Sequence, residues 1–180
     1  VKEGPPADVL RLYVNGWLTR TRGIPVLLEA LRRDPDLPVE IYCAGRPACD
    51  EAHELLRDRR TRYFGLLSHE ESLALYPSCH FAFTYYDPSI PINRIAEPNK
   101  WGDCLAMRTP FLANAEIASV VQWIQAGACR ALPYDDIDAL SEFLRGDARR
   151  EAVTLRENLR GIAPEYWDEG VRVVLEAAAG

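Results

Sequence analysis

The feature that most constrains the fold is a regular alternation of short apolar runs with helical segments. Six runs are typical of strands: Leu10–Val14, Val39–Ala44, Arg62–Phe64, Cys79–Tyr85, Pro110–Ala113 and Ala128–Leu132. The segments between and after them favour helices over residues 22–31, 48–59, 68–76, 98–107, 117–125, 135–144, 148–159 and 164–178. Such alternation with short connections predicts a Rossmann-like, doubly wound α/β fold, in which helices cover both faces of an open parallel sheet of about six strands.

Local signals support several of these elements. Apolar residues at 24, 27, 28 and 31 lie on one helical face, with Pro25 in the first turn. Ser68 and Glu71 form a capping box at a helix start, and we expect Asp135 to cap another helix. A proline-rich stretch over residues 86–96 is expected to be a loop, and Trp101 and Trp123 are expected to pack helices against the sheet.

Length and composition exclude several classes of protein. The 180 residues suit one domain over 10–180, with 1–9 expected to be a linker rather than a signal peptide. A net charge of −6 argues against a nucleic-acid-binding protein. The longest uncharged run, over residues 72–86, is 15 residues and is too short to span a bilayer.

Motifs of common metal and nucleotide sites are missing from the sequence. The five cysteines are an odd number without Cys-x-x-Cys spacing, which favours reduced thiols over structural zinc. The three histidines form no metal-binding motif, and we expect His69 and His80 to have structural roles. No Gly-x-Gly-x-x-Gly, P-loop or Gly-x-Ser-x-Gly motif is present.

In an open parallel sheet the ligand site lies at the carboxyl ends of the strands. The connection after the first strand carries Gly16, Arg20, Arg22 and Gly23. Glycines and guanidinium groups at a helix start can bind phosphate. The alternative is that these are two ordinary exposed arginines of an arginine-rich chain.

A second candidate site opens the helix after the fourth strand. Lys100 is one of only two lysines in the chain, and it shares a helix edge with Asn99 and Asp103. A cation at a helix N-terminus is disfavoured by the helix dipole unless an anion binds there. The pattern therefore predicts a diphosphate held by Lys100 and helix amides, with Asp103 on a ribose. The alternative is a surface pair between Lys100 and Asp103 that contributes under about 1 kcal/mol.

The order of these motifs resembles the C-terminal, donor-binding domain of GT-B glycosyltransferases, most of all the retaining family 4 of bacterial sugar transferases. The most telling stretch is Glu97-Pro98-Asn99-Lys100-x-x-Asp103-x-Leu105-Ala106-x-x-Thr109-Pro110. The other matching stretches are residues 13–16, 22–24, 64–71, 86–88 and 166–169. The resemblance covers nearly the whole chain.

The resemblance implies a hexosyltransferase that binds a UDP-, GDP- or ADP-sugar, needs no metal or other cofactor, and retains the anomeric configuration. It implies that Arg22 and Lys100 stabilise the leaving diphosphate and that Asp103 holds the ribose. The further nucleotide-sugar-binding positions that it implies are Gly16, Arg20, Gly45, Arg46, Phe64, Gly65, Leu66, Pro98 and Asn99.

Three positions depart from the family pattern. Ile95 stands where many members have the first of two glutamates, so Glu97, two residues later, is the acid available to the transferred sugar. Asp103 replaces the second glutamate, and Arg108 stands where many members have glycine. Two alternatives stay open: a nucleotide-sugar epimerase of the same architecture, and a non-catalytic nucleotide-binding or packing module, which Ile95 and Arg108 favour.

The resemblance also implies a partner domain and a cellular setting. We expect an N-terminal acceptor-binding domain that this chain lacks, so that the isolated domain is inactive alone. We expect a cytoplasmic bacterial enzyme of glycan biosynthesis, with any peripheral membrane contact made through that other domain.

Overall fold

A computed structural model describes residues 9–95 and 97–162. Its six strands are β1 (Leu10–Leu18), β2 (Val39–Pro47), β3 (Thr61–Tyr63), β4 (Phe81–Thr84), β5 (Phe111–Asn114) and β6 (Cys129–Leu132). They form one parallel sheet in the order β3-β2-β1-β4-β5-β6. This confirms the predicted Rossmann-like α/β sheet. The helix predicted over 164–178 and the predicted linker, except for residue 9, lie outside the described residues.

Helices follow the strands in the predicted order. They are α1 (Ile24–Arg33), α2 (Asp50–Leu55), α3 (His69–Leu75), α4 (Pro91–Ile95), α5 (Asn99–Ala106), α6 (Val120–Gln125), α7 (Ile137–Arg145) and α8 (Ala148–Gly161). Two 3-10 turns cover Arg20–Arg22 and Tyr76–Ser78. None of the described helices is long and apolar enough to span a membrane.

The apolar side chains form two layers, one on each face of the sheet. Successive side chains of a strand point to opposite faces. Leu12 therefore belongs to one layer, with α1 and α7, and Tyr13 belongs to the other. As predicted, Trp101 and Trp123 are buried in the second layer.

Strands β1 and β2 extend further than the sequence predicts. We expected strand ends at Val14 and Ala44, followed by glycines, but the pairing continues through Gly16 with Gly45 to Leu18 with Pro47. Gly45 has φ +125°, and a Cβ there would lie 1.9 Å from the Gly16 carbonyl oxygen. The glycines therefore permit a close approach of the two strands instead of ending them.

Several other boundaries differ from the prediction, and three of these differences concern a shortened helix, an added helix and a helix cap. Helix α2 is shorter than the predicted 48–59, because the Arg60 guanidinium donates to the carbonyl oxygens of Leu31 and Asp34 and fixes an irregular segment there. The predicted loop over 86–96 contains α4, in which proline is compatible with the first turn. The cap of α7 is Asp136 and not Asp135, since Asp136 accepts from the Ala139 amide at 2.9 Å.

Arg108, which stands where many family members have glycine, lies in the turn that ends α5. The Thr109 amide donates to the Cys104 carbonyl oxygen and the Arg108 amide donates to that of Leu105, which is a Schellman motif. The residue at the left-handed position of this motif is usually glycine, and here it is Arg108, with φ +50°. Helix α6 ends in the same motif with Gly127 at φ +68°.

We predict that Arg108→Gly stabilises the domain by about 1 kcal/mol, because a left-handed backbone strains any residue that has a Cβ. Urea denaturation measures this change. Arg108→Ala is the matched control, because it removes the same exposed side chain and keeps the Cβ; it should give no such gain. Equal stability of Arg108→Gly and Arg108→Ala would contradict the explanation.

Candidate functional site

Two pockets open at the carboxyl ends of the strands, beside β1 and β4, where the direction of strand order reverses. Pocket A, of about 530 Å³, is lined by Asn15, Gly16, Trp17, Ala44, Gly45, Arg46, Leu66, Leu67, Ser68, His69, Ser72, Lys100 and Asp103. Pocket B, of about 410 Å³, is lined by Gly16, Trp17, Arg22, Tyr86, Ile92, Asn93, Pro98, Asn99 and Lys100. This is the switch point at which open α/β sheets bind ligands.

The two pockets share Gly16, Trp17 and Lys100, which we call the junction. Lys100 lies in the first turn of α5, and its Nζ donates to the Asn15 carbonyl oxygen. A Cβ on Gly16 would lie 3.5 Å from the Lys100 Cε, which is ordinary van der Waals contact. The Gly16 backbone therefore lies close to the lysine side chain. The long strand β1 and the start of α5 thus bring an ammonium group to the boundary between the pockets.

The ammonium of Lys100 is in an unfavourable environment. Burial, and then repulsion by the Arg22 guanidinium, lowers the pKa of Lys100 from 10.5 to about 8. Nearby Cys104, Cys43 and Asp103 only partly offset this. A cation that is destabilised in the empty site would be stabilised by a bound anion.

Arg22 supplies the second cation, in the turn before α1. Its guanidinium lies 4.3 Å from the centre of the Tyr86 ring. The Tyr86 amide donates to the Asn114 side-chain oxygen at 2.8 Å, and the Asn114 amide group donates to Glu116 at 2.9 Å. Because Asn114 is fully buried, these contacts hold Tyr86, and through its ring Arg22, at the edge of pocket B.

Asp103 is the acid of pocket A. Burial raises the pKa of Asp103, and nearby His69, Tyr76 and Lys100 lower it in part. The His69 Nε2 lies 3.9 Å from the Asp103 Oδ1. Asn15 donates to Tyr76 and to Ser72, each at 3.2 Å, so a polar network lies beneath this part of the pocket.

The two histidines with predicted structural roles differ in the structure. His80 is buried, and its Nδ1 accepts from the Arg11 amide at 2.9 Å, which confirms a structural role. His69 is exposed and lines pocket A, so its structural role stays a prediction. The predicted capping box of Ser68 and Glu71 is confirmed, and it starts α3 at the pocket edge, with His69 as its first residue.

The structure brings most of the predicted site residues together. Those that line pocket A or pocket B are Gly16, Arg22, Gly45, Arg46, Leu66, Pro98, Asn99, Lys100 and Asp103. Four predicted residues line neither pocket: Arg20, Phe64, Gly65 and Glu97.

Contacts elsewhere account for three of these four. Arg20 forms a salt bridge with Glu51 of α2, with its Nη2 2.7 Å from the Glu51 Oε1. Phe64 packs against Tyr42, with ring centres 5.0 Å apart. Glu97, the predicted acid for the transferred sugar, instead accepts from Gln122 of α6 at 2.9 Å.

Several residues that line the pockets are not predicted from the sequence. The most prominent is Trp17, whose side chain is 60% exposed at the junction. It was missed because β1 was expected to end before Gly16. Asn93 lies in α4, which the sequence does not predict, and Tyr86 belongs to a stretch of the family pattern without a predicted binding role.

The arrangement suits an extended anion with two charged groups. Neither Lys100 nor Arg22 forms an ion pair with another described residue. Helix α5 directs its N-terminus toward the same place, which adds partial positive charge. Among the described residues, no group of three or more His, Cys, Asp or Glu side chains could hold a metal ion.

Solved structures with the same architecture include glycosyltransferases. WaaG, a glycosyltransferase involved in lipopolysaccharide biosynthesis, matches 87% of this chain with a TM-score of 0.66 and 14% identity. Sucrose-phosphate synthase from Thermosynechococcus elongatus matches 97% with a TM-score of 0.61 and 21% identity. S. aureus TarM, in a complex that includes UDP, matches 88% with a TM-score of 0.58 and 13% identity.

This domain has the fold of a GT-B C-terminal domain. No protein-family model matches the sequence, and no curated protein matches it. The GT-B-type domain spans 43% of WaaG, 47% of sucrose-phosphate synthase and 34% of TarM, so it corresponds to less than half of each of these chains.

Proposed function

We propose that this chain is the donor-binding half of a glycosyltransferase and that a nucleoside diphosphate sugar binds across pockets A and B. The observation that carries the proposal is the presence of two neighbouring cations, Lys100 and Arg22, where the pockets meet. There Lys100 is close enough to Arg22 for the guanidinium to lower its pKa, and neither cation has an ion-pair partner among the described residues. A diphosphate would neutralise both cations with charge-assisted hydrogen bonds.

Each part of the ligand then has a place. The diphosphate lies at the junction, between Gly16 and the start of α5. The nucleoside lies in pocket A, with its ribose hydroxyls on Asp103 and its base toward Arg46 and Leu66. The sugar lies in pocket B, beside Asn93 and Asn99. The place of the diphosphate follows from the two pockets meeting at a cation, and the direction of the ligand follows from Asp103, the acid expected to hold the ribose, which lines pocket A.

The same geometry can assist the transfer reaction. Cleavage of the anomeric bond leaves negative charge on the nucleoside diphosphate. Fixed cations and helix amides stabilise a developing anion without reorganising during the reaction. Lys100, Arg22 and the first amides of α5 therefore promote departure of the leaving group, and we propose that no metal ion takes part.

The finer assignments rest on the family resemblance. They are retention of configuration, the hexosyl type of transfer, and an acceptor held by a separate N-terminal domain, without which the present domain is inactive. Retention would use the leaving phosphate as the assisting group. A cytoplasmic bacterial enzyme of glycan biosynthesis, touching a membrane only through the other domain, fits the same resemblance.

A thermal-shift panel of UDP-, GDP- and ADP-sugars tests the proposed function. A ligand at 100 times its Kd stabilises a protein by about 2.7 kcal/mol, which raises the Tm of a domain of this size by about 5–10 °C. We expect such a shift for the sugars of one base, with adenosine as a control that gives none. No shift with any of the three classes would contradict the proposal.

Product analysis separates transfer from the epimerase alternative. With the full-length enzyme and no acceptor, a glycosyltransferase leaves the sugar configuration of the donor unchanged. An epimerised sugar in that mixture would favour the alternative. Nucleotide binding without either reaction would favour a non-catalytic module.

A further inference from the structure

The junction contains an exposed aromatic side chain whose role the binding of phosphate does not explain. Trp17 is 60% exposed, whereas Trp101 and Trp123 are almost fully buried. Exposure of an indole to water is unfavourable. At the boundary of two pockets, this surface is available to a ligand.

The backbone holds Trp17 in a fixed position. It lies inside β1, paired with Arg46 of β2, one residue beyond the close contact of Gly16 and Gly45. The next residue, Leu18, is buried and pairs with Pro47. A side chain on paired strands with a buried neighbour is positioned more rigidly than one on a loop.

One side of the indole already has a partner. The Arg46 guanidinium lies 5.5 Å from the centre of the Trp17 ring. Arg46 lines pocket A and does not line pocket B. In pocket B the guanidinium of Arg22 lies instead over Tyr86. The guanidinium partner of Trp17 thus belongs to pocket A, while the largely exposed Trp17 also lines pocket B.

We propose that Trp17 stacks on the pyranose ring of the donor sugar in pocket B. This rests on the proposed function and assigns the sugar end of the same ligand. The C–H groups on one face of a pyranose are apolar and slightly positive, and they suit the negative face of an indole. Trp17 thus makes the domain bind a sugar nucleotide more tightly than the free nucleoside diphosphate. That difference favours release of the product after transfer.

Calorimetry of Trp17→Leu tests the inference. The probes are UDP-glucose, GDP-mannose and ADP-glucose, each compared with its own nucleoside diphosphate. We expect Trp17→Leu to lower the affinity for the bound sugar nucleotide about tenfold and that for the diphosphate less than twofold. Leu66→Ala is the matched control, because Leu66 is an exposed apolar residue of pocket A only. It should lower both affinities equally.

A second readout locates the contact itself. The fluorescence of Trp17 is the difference between the wild-type signal and that of Trp17→Leu. Acrylamide should quench this fluorescence less when the sugar nucleotide is bound, and the diphosphate should change the quenching little. Equal losses of both affinities in Trp17→Leu, or no loss of either, would overturn the inference while leaving the proposed function intact. Absence of nucleotide binding to the wild-type chain would overturn both.

Discussion

Lys100→Met is expected to lower the affinity for a nucleoside diphosphate by about 10- to 150-fold, because it removes charge-assisted bonds that contribute about 1.5–3 kcal/mol. The same substitution should stabilise the ligand-free domain by about 1 kcal/mol. The folded state lowers the pKa of Lys100 to about 8, so at pH 7 the unfolded chain holds this proton more tightly. Calorimetry and urea denaturation measure the two effects.

The control removes a cation outside the pockets. Arg59 is exposed and lines neither pocket, so Arg59→Met should leave nucleotide affinity unchanged. The wild-type affinity should also fall as the pH rises above about 8, where the free lysine loses its proton, and Lys100→Met should abolish that dependence. Unchanged affinity in Lys100→Met would contradict the assignment of the diphosphate to the junction.

Gly45→Ala is expected to cost about 3–5 kcal/mol of folding free energy, a large part of the stability of a typical domain. The new Cβ would lie 1.9 Å from the Gly16 carbonyl oxygen and 2.7 Å from the Gly16 amide nitrogen. These are backbone atoms, so relief requires that β1 and β2 separate. Separation would also move Trp17 and the carbonyl group that holds Lys100. Urea denaturation measures the loss.

Gly65→Ala is the matched control for this loss. Gly65 also has a positive φ, +76°, but a Cβ there would have no atom within 4 Å. Its substitution should cost only the backbone strain, about 1 kcal/mol. Equal costs at Gly45 and Gly65 would contradict the close contact of the strands.

The sheet and much of the site could be predicted because their causes are local. The strand-like runs and the Ser68 capping box are patterns of residues that are adjacent in the sequence. The alternation of strands and helices then predicts a parallel sheet. Lys100, Asp103 and Arg22 could be identified because residue type, helix position and the expected strand ends all indicated one edge of the sheet.

The features that the sequence does not predict depend on partners far away in the sequence. No residue near Gly16 in the sequence indicates that it pairs with Gly45. The predicted first strand therefore ends too early and does not include Trp17. Arg20 forms a salt bridge with Glu51, and Glu97 accepts a hydrogen bond from Gln122. Only the folded chain brings these pairs of side chains together. The backbone strain at Arg108 follows from where α5 ends, which residue type alone did not show.

The most direct test of the central claim is a crystal structure of this chain with the nucleoside diphosphate that the thermal panel selects. We predict a diphosphate at the junction, within hydrogen-bond distance of the Lys100 Nζ and near Arg22. We also predict a base in pocket A and a ribose on Asp103. A nucleotide bound away from Lys100, or one whose base occupies pocket B, would contradict the proposed site.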